Sequence, residues 1–531
     1  MNTSTGLWAG LPALPNAFGK IAVLLFLVII LPFEARAASG CDGAGNCYIY
    51  AGAAGSGNGA SWANAFTGFG TSAGQVNPAS MTRGVTYWIA NGSYGGMTFS
   101  TPDSGTALIS IMGATPASHG PAADWSNSYA GQATFGESSV TTDYWTFNGQ
   151  SRGADWQSGY TIKFWNQSNP GGASVHISAN NLTFKYVEME GTGAGFPNNN
   201  STADHCNQNN CGVWADNAIY ASTGVSNLYV GYSYAHHTGN TQFQMNSGVS
   251  NNATWEYNWV SYNHTGQNGQ HDEAYAIYAS NFTVRYNVFQ DISGCATICD
   301  AGANTPPLQN WAVYGNLIFW DSTYAALAGQ YWEATIDDAA IVGFLGENMT
   351  GYVYVANNTV AGLYNAVADR SGTGFSTLPI SGLVGYSTGS PNVTIVNNLW
   401  YGSAYVYGDY TPYCSVVSCA SLTQDYNASY QGIVPSGDNW QTNSTPGAHD
   451  YNVSGSSASP FVNNAASTIA GFKLTTPDPF ISNPGATLQA PYNIDGLNGV
   501  NRGANGTWDR GAEQLGNSTL APPTNLTGTV Q

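Results

Sequence analysis

The sequence predicts an all-β chain, a parallel β-solenoid, and three observations carry that reading. First, one short unit recurs: Ala-Thr-Trp-Glu-Tyr-Asn258, Phe-Thr-Val-Arg-Tyr-Asn287, Trp-Ala-Val-Tyr-Gly-Asn316, Val-Tyr-Val-Ala-Asn-Asn358 and Val-Thr-Ile-Val-Asn-Asn398, at spacings of 29, 29, 42 and 40 residues. Second, each unit alternates apolar and polar residues, as a strand with one buried face does. Third, an Asn closes every unit. Stacked coils set these side chains one above another, each amide donating to the next, and Asn suits the place because it tolerates bent backbone and both donates and accepts. Variable loops between repeated strands are the mark of a solenoid. The 65 glycines and the 8% of charged residues among 531 suit many tight turns, and 13% aromatics exclude a disordered chain.

The elements follow in chain order. Lys20, an apolar run over 21–31 and Ala35-Arg36-Ala37 predict a signal peptide over 1–37, too short to be a comfortable membrane span. Its removal takes away Lys20 and Arg36 against Glu34, so the mature chain is slightly more acidic than the formal −19. Residues 38–114 are expected to form an N-terminal cap and first coils, 115–515 the solenoid, and 516–531 a Pro/Asn/Thr-rich disordered tail. Asn181-Leu-Thr-Phe-Lys185-Tyr and Asn227-Leu-Tyr-Val-Gly231-Tyr carry the register upstream, Asp450-Tyr-Asn452-Val marks a late coil, and 431–447 reads as loop. Eight cysteines fall into four close pairs, Cys41/Cys47, Cys206/Cys211, Cys295/Cys299 and Cys414/Cys419. In a secreted chain these are expected disulfides, stapling short loops. No cysteine pair joins another pair or a His at zinc spacing.

Eleven basic residues form no stripe, so nucleic acid is excluded as a partner. An acidic surface also repels a polyanionic sugar unless a cation bridges the two. The expected partner is a neutral extracellular polysaccharide, or an acidic one met through bound calcium, and the chain is expected to act as a monomer.

The opening stretch, Tyr48-Ile-Tyr-Ala-Gly to Trp62-Ala-Asn-Ala-Phe66 followed by Gly84-Val-Thr-Tyr-Trp-Ile-Ala-Asn-Gly-Ser-Tyr94, resembles that of secreted proteins of the pectate-lyase-like superfamily. The closing stretch, Asp495-Gly-Leu-Asn-Gly-Val-Asn-Arg502 to Trp508-Asp509-Arg510-Gly511-Ala512-Glu513, resembles the end of bacterial members. The resemblance implies a right-handed parallel β-helix with an N-terminal cap, in which the first strand and a short helix cover the open end. It implies little about activity, because the scaffold hosts lyases, hydrolases, epimerases, esterases and adhesins.

Three groups could carry chemistry. Taking Asn181, Asn227, Asn252 and Asn281 as one position, the residue four later is Lys185, Gly231, Glu256 or Arg285. Leu182/Phe184, Leu228/Val230, Ala253/Trp255 and Phe282/Val284 point inward, so that column points outward. With strands about 4.8 Å apart, Glu256 and Arg285 touch and Lys185 lies two coils from Glu256. The pair is either a solvated charge pair or a guanidinium that neutralises a substrate carboxylate. The second group is Glu190, His236, His237, His264 and Asp291, which aligned coils bring near one turn, as base, metal ligands or turn-filling hydrogen-bonders. The third is Gln270-His271-Asp272-Glu273, as calcium ligands, as a base tuned by Asp272, or as a plain surface turn. Trp214, Tyr220, Tyr262 and Tyr278 are candidate stacking faces for sugar rings or ordinary core rungs.

Known site motifs match only in part. The chondroitinase B/alginate lyase group carries calcium-binding glutamates and then a catalytic lysine; Glu273 falls near such a glutamate, but Tyr278-Ala279-Ser280 holds no lysine. Mannuronan epimerases show Asp-Pro-His-Asp/Glu, of which only His271-Asp272-Glu273 is present. Of the polygalacturonase motifs only Asp337-Asp338 occurs, and pectin methylesterase signatures are absent.

The resulting expectation is a secreted polysaccharide lyase acting by β-elimination on uronate-containing glycan. His271 is the first candidate base, with His237 or His264 next. Arg285, or a cation at Asp272, Glu273 and Asp291, neutralises the uronate; Tyr275 or Tyr278 protonates the leaving oxygen. Lys185 and Glu273 complete the catalytic candidates; Glu256, Tyr278, Trp214 and Tyr262 are the substrate-binding ones. The alternatives are a hydrolase or epimerase on the same scaffold, and a non-catalytic adhesin, matrix or carbohydrate-binding protein.

Overall fold

The computed structural model describes residues 41–167, 171–191, 216–263, 273–292, 294–301, 307–321, 336–345, 349–362, 380–381, 391–401, 420–430, 447–453, 461–463, 467–474, 485–492, 497, 499, 501–503 and 508–515. Their strands coil into a three-faced parallel β-helix. One coil reads Ala173–Ile177, Leu182–Lys185, Val187–Glu190; the next reads Asn217–Ala221, Ser226–Gly231, Tyr234–Thr238. Each strand pairs in parallel with its equivalent one coil on, as in Val175↔Ile219, Phe184↔Val230 and Met189↔Ala235. The third face is a separate 12-stranded sheet. The first and second faces join in one 19-stranded sheet, because the strands Phe243–Glu256 and Tyr275–Arg285 each run through the corner between them.

Alternation decides what lies inside. On the second face Leu182, Phe184, Leu228, Val230, Ala253, Trp255, Phe282 and Val284 are all buried, as the alternation predicts. Aromatic rungs fill the interior: Phe147 stacks on Phe184 with centroids 5.1 Å apart, and Phe135 on Phe164 at 5.0 Å.

The corner between the second and third faces holds the repeated asparagines. Asn287 donates its backbone N–H and its side-chain amide to Asn316 Oδ1, at 2.9 and 3.1 Å. The same amide donates to Trp255 O one coil back, at 3.0 Å. Asn316, Asn358 and Asn398 repeat the pattern toward Asn358, Asn398 and Asn427. Ser233 stands before the first Asn, its N–H donating to Asn258 Oδ1, and Asp450 accepts from Asn427 at the far end. The residue before each ladder position turns the chain with a left-handed φ: 53° to 60° at Tyr186, Tyr232, Tyr257, Tyr286, Asn357, Asn397 and Tyr426, and 68° at Gly315. That conformation is unfavourable for Tyr. The tyrosine rings pack on one another, with centroids 5.0, 4.9 and 5.1 Å apart along Tyr186, Tyr232, Tyr257 and Tyr286.

The N-terminal end departs from the resemblance. Among the described residues there is no α-helix, only the short 3-10 turns Asn127–Tyr129 and Ile469–Phe472. Phe69, Val76 and Met81 join the interior cluster there, and Tyr48, Trp62, Trp125 and Tyr129 pack beside them. Loop residues Phe69, Val76 and Met81 thus supply the apolar cover expected of a helix. The first strand, Asn46–Ile49, already pairs with Val85–Ile89, so the ladder begins inside the expected cap. Cys41 and Cys47 are disulfide-bonded. Cys295 and Cys299 fall in the strand Gly294–Ala301 with side chains outside the description, and Cys206, Cys211, Cys414 and Cys419 lie outside the described residues. So do the expected signal peptide and the expected tail.

The C-terminal segment lies back along the asparagine corner. Asn357 donates to Tyr492 O at 2.9 Å, Ala486 N to Asn397 Oδ1 at 2.7 Å, and Ala512 N to Thr359 Oγ1 at 2.8 Å. Among the described residues no helix is long and apolar enough to cross a membrane.

Candidate functional site

The outward column on the second face forms as the spacing predicts. Lys185 pairs with Gly231, Gly231 with Glu256, Glu256 with Arg285 and Arg285 with Tyr314. Arg285 Nε and Nη2 both donate to Glu256 Oε2, at 2.7 and 2.6 Å, and Nη1 donates to Tyr314 Oη at 2.9 Å. Glu256 Oε1 accepts from the Tyr229 hydroxyl at 2.8 Å. Gly231 makes that last bond possible. A Cβ there would sit 2.3 Å from Tyr229 Oη, so the missing side chain leaves room for the phenol to lie along the sheet. Lys185 has no carboxylate within ion-pair distance among the described residues; its Nζ stands 4.9 Å from the Tyr232 ring centre and 5.3 Å from that of Tyr186.

Burial sets the protonation of this column. Partial burial lowers the Lys185 pKa below the usual lysine range, and the Glu256 charge offsets only part of the effect. Burial, then the Glu256 charge, push the Tyr229 hydroxyl far up; Tyr232 is raised by the same two causes. Burial would lower Arg285, but Glu256 and Tyr314 outweigh it and hold it above its ordinary value.

A second polar cluster sits on the third face. In Ile162–Trp165 and Val187–Glu190 alternate residues point outward, and the register sets Lys163 beside Glu188. Lys163 Nζ bridges Glu188, at 2.8 Å, and Glu190. Glu188 also accepts from Gln132 Nε2 at 2.8 Å and faces His236 Nε2 at 3.3 Å. His236 Nδ1 faces His237 Nδ1 at 2.5 Å. Burial alone would raise Glu188, but His236 and Lys163 hold it down to about 2. Glu190, His236 and His237 each bring a ligand atom within 4.8 Å of the others.

The remaining candidates scatter. Tyr275, expected as a proton donor, is in the interior with its ring against Phe243, Trp255 and Phe289. Glu273, a catalytic and calcium-ligand candidate whose face the sequence left open, is fully buried and accepts from Thr241 Oγ1 at 3.1 Å. Tyr275, Ile277 and Ala279 alternate inward and Glu273 keeps their phase, which puts both residues inside. Asp291 is buried beside Asp321, whose N–H donates to its Oδ1 at 2.9 Å; burial and the Asp321 charge push Asp291 well above the usual carboxylate range. Tyr262 precedes Asp291 by one coil in a shared left-handed column with His237, and its hydroxyl accepts from Gln290 at 3.3 Å. Tyr278 is half-buried on the first-face stretch of its strand. His264, His271, Asp272 and Trp214 lie outside the described residues.

Sequence reasoning overlooked Tyr229, Tyr314, Lys163 and Glu188. The signal for the last two was present. Ile-Lys163-Phe and Val-Glu188-Met-Glu190 are alternating strands, whose polar members share a face.

No family model matches the chain, and no curated protein matches it. Among solved structures it is similar to pectate lyase Pel9A, with 13% identity, TM-score 0.48, and coverage of 89% of this chain and 98% of that one. It is also similar to a PL6-family polysaccharide lyase from Pseudopedobacter saltans, with 13% identity, TM-score 0.38, and coverage of 70% and 87%. A third is the PL6-family alginate lyase AlyGC, with 13% identity, TM-score 0.39, and coverage of 84% and 57%. The chain's own strand pairing defines a parallel β-helix.

Proposed function

We propose that this chain is a secreted, monomeric enzyme that cleaves uronate-containing polysaccharide by β-elimination on its second face. One observation carries the reading: the Lys185 amine is partly buried, rests on two tyrosine rings, and has a lowered pKa with no carboxylate at ion-pair distance among the described residues. A lysine so placed gives up its proton more readily than an exposed one and can act as a general base. In the step, the amine takes the proton α to the uronate carboxylate. The electron pair left behind forms the carbon–carbon double bond as the glycosidic carbon–oxygen bond breaks. The leaving oxygen takes a proton from Tyr232, whose hydroxyl burial keeps protonated. Arg285 retains two N–H bonds beyond those given to Glu256 and Tyr314, and these can receive the uronate carboxylate.

Candidate calcium ligands lie elsewhere. The buried Asp291–Asp321 pair brings together two carboxylates, oxygen ligands of the kind calcium takes but fewer than it needs. The step above therefore runs on the side chains alone.

The closed network of Tyr229, Glu256, Arg285 and Tyr314 favours a second reading, a glycan-binding surface without turnover. The deciding experiment is a polysaccharide panel at mildly alkaline pH, with and without calcium, read by ultraviolet absorbance and reducing ends. Under the lyase reading both signals rise together. Lys185→Arg, which keeps the charge and removes the base, should then slow turnover by on the order of a thousandfold with glycan binding retained. Reducing ends without absorbance would move the assignment to a hydrolase. Binding without either signal would favour the second reading.

A further inference from the structure

We propose that Glu190, His236 and His237 form a transition-metal site of the zinc class on the third face, apart from the Lys185 column. Their ligand atoms already lie within 4.8 Å of one another. Tetrahedral zinc, with bonds of about 2.0–2.1 Å to nitrogen, sets ligand atoms about 3.3 Å apart, so small side-chain rotations complete the set. Two imidazole nitrogens and one carboxylate oxygen suit zinc, cobalt, nickel or copper; calcium and magnesium take oxygen alone. The site therefore differs in chemistry from any calcium site.

The tautomer is prepared. His236 Nε2 faces the Glu188 carboxylate, which can only accept, so that nitrogen carries the proton and Nδ1 presents its lone pair. Glu188 is in turn fixed by Lys163 and Gln132. A carboxylate orienting a histidine whose other nitrogen binds metal is the usual outer support of a zinc ligand. The two Nδ1 atoms face one another, so an ion between the rings can take both. Lys163 takes Glu190 Oε2 and leaves Oε1 available to the ion. Glu188 and Glu190 against Lys163 give one uncompensated negative charge when both imidazoles are neutral, which favours a divalent cation. Three protein ligands leave a fourth tetrahedral position for water or another group.

The test is cobalt(II) titration of the metal-stripped full chain, followed by the visible bands of tetrahedral cobalt and by zinc displacement. The expected result is one tetrahedral ion per chain. His237→Asn, a residue that tolerates the left-handed φ of 56° at this position, should abolish the bands. Glu188→Gln should weaken binding about ten- to hundredfold. His449→Asn, which alters a histidine paired with Asp425 elsewhere, should change nothing. Absent bands in the unaltered chain, or equal bands in the His237 variant, would overturn the site and leave a hydrogen bond between two rings. Should the variants misfold, X-ray absorption of the zinc-loaded unaltered chain decides: two imidazoles in the shell support the site, and none sinks it.

Discussion

Two asparagine columns run along this solenoid with the same side chain in opposite surroundings. The inner column, Asn258 to Asn427, is at most 1% exposed. Its amides donate forward to the next coil and back to a buried carbonyl. The outer column, at the corner between the first and second faces, is Asn181, Asn227, Asn252, Asn281 and Asn310. It meets water, and its amides donate backward, Asn227 to Asn181 Oδ1 at 2.9 Å and Asn310 to Asn281 Oδ1 at 2.8 Å. One rung reaches sideways: Asn281, level with Asn252, donates to Asn251 instead. The difference teaches which physical property each column uses. Inside, Asn is needed for hydrogen-bonding groups that water cannot reach. Outside, it is needed because the backbone there takes φ values of 54° to 59°, which Asn tolerates.

The largest expected effect breaks the inner column. Asn316→Ala removes the acceptor for two Asn287 donors and the donor to Val284 O, and should cost on the order of 3 kcal/mol in urea unfolding. A loss within 0.5 kcal/mol, by the same rough scale, would mean that the inner ladder is ornamental. The next separates ladders from charges. Asparagine does not ionise, so the Asn316→Ala loss should be the same at pH 7 as in mild acid. Glu188 does ionise, with its pKa held from 4.5 down to about 2. Its contribution, roughly 2 kcal/mol, is fully present above the unfolded value and disappears as pH falls toward the folded one. The gap in stability between metal-free wild type and Glu188→Gln should therefore close over that window; a constant gap would contradict the assignment. The smallest effects concern the outer column. Asn281→Ala should cost about 1 kcal/mol through its left-handed φ, while Asn281→Gly should stay within about 0.5 kcal/mol. Equal losses for both would mean that the exposed hydrogen bonds matter after all.

Much of this was legible in the sequence, for a reason that also explains the misses. A period of two, repeated coil after coil, reports which residues lie level. It placed Glu256 beside Arg285 and stacked Asn258 under Asn287. It does not report how a long side chain bends. The Tyr229 phenol crosses to Glu256 only because Gly231 carries no Cβ, and no pattern rule joins those two residues. The Arg285 charge was legible; its engagement by Glu256 on one side and Tyr314 on the other was not. Alternation fixes faces only within one known register, which is how Tyr275, expected as a proton donor, came to lie in the interior. The site was harder to read than the fold because a site depends on side-chain direction, whereas a coil depends on repetition.

The inner ladder has a grammar of its own. Every asparagine in it is both an object and a subject, receiving from the coil before and giving to the coil after. Val187 opens the sentence with a backbone N–H to the Ser233 hydroxyl, and Ser233 passes on its own N–H but has no amide. Asp450 ends it, since a carboxylate receives from Asn427 and has nothing to hand on. A whole coil duplicated between those two punctuation marks would extend the molecule without new chemistry; one added beyond Asp450 would need that residue rewritten as Asn.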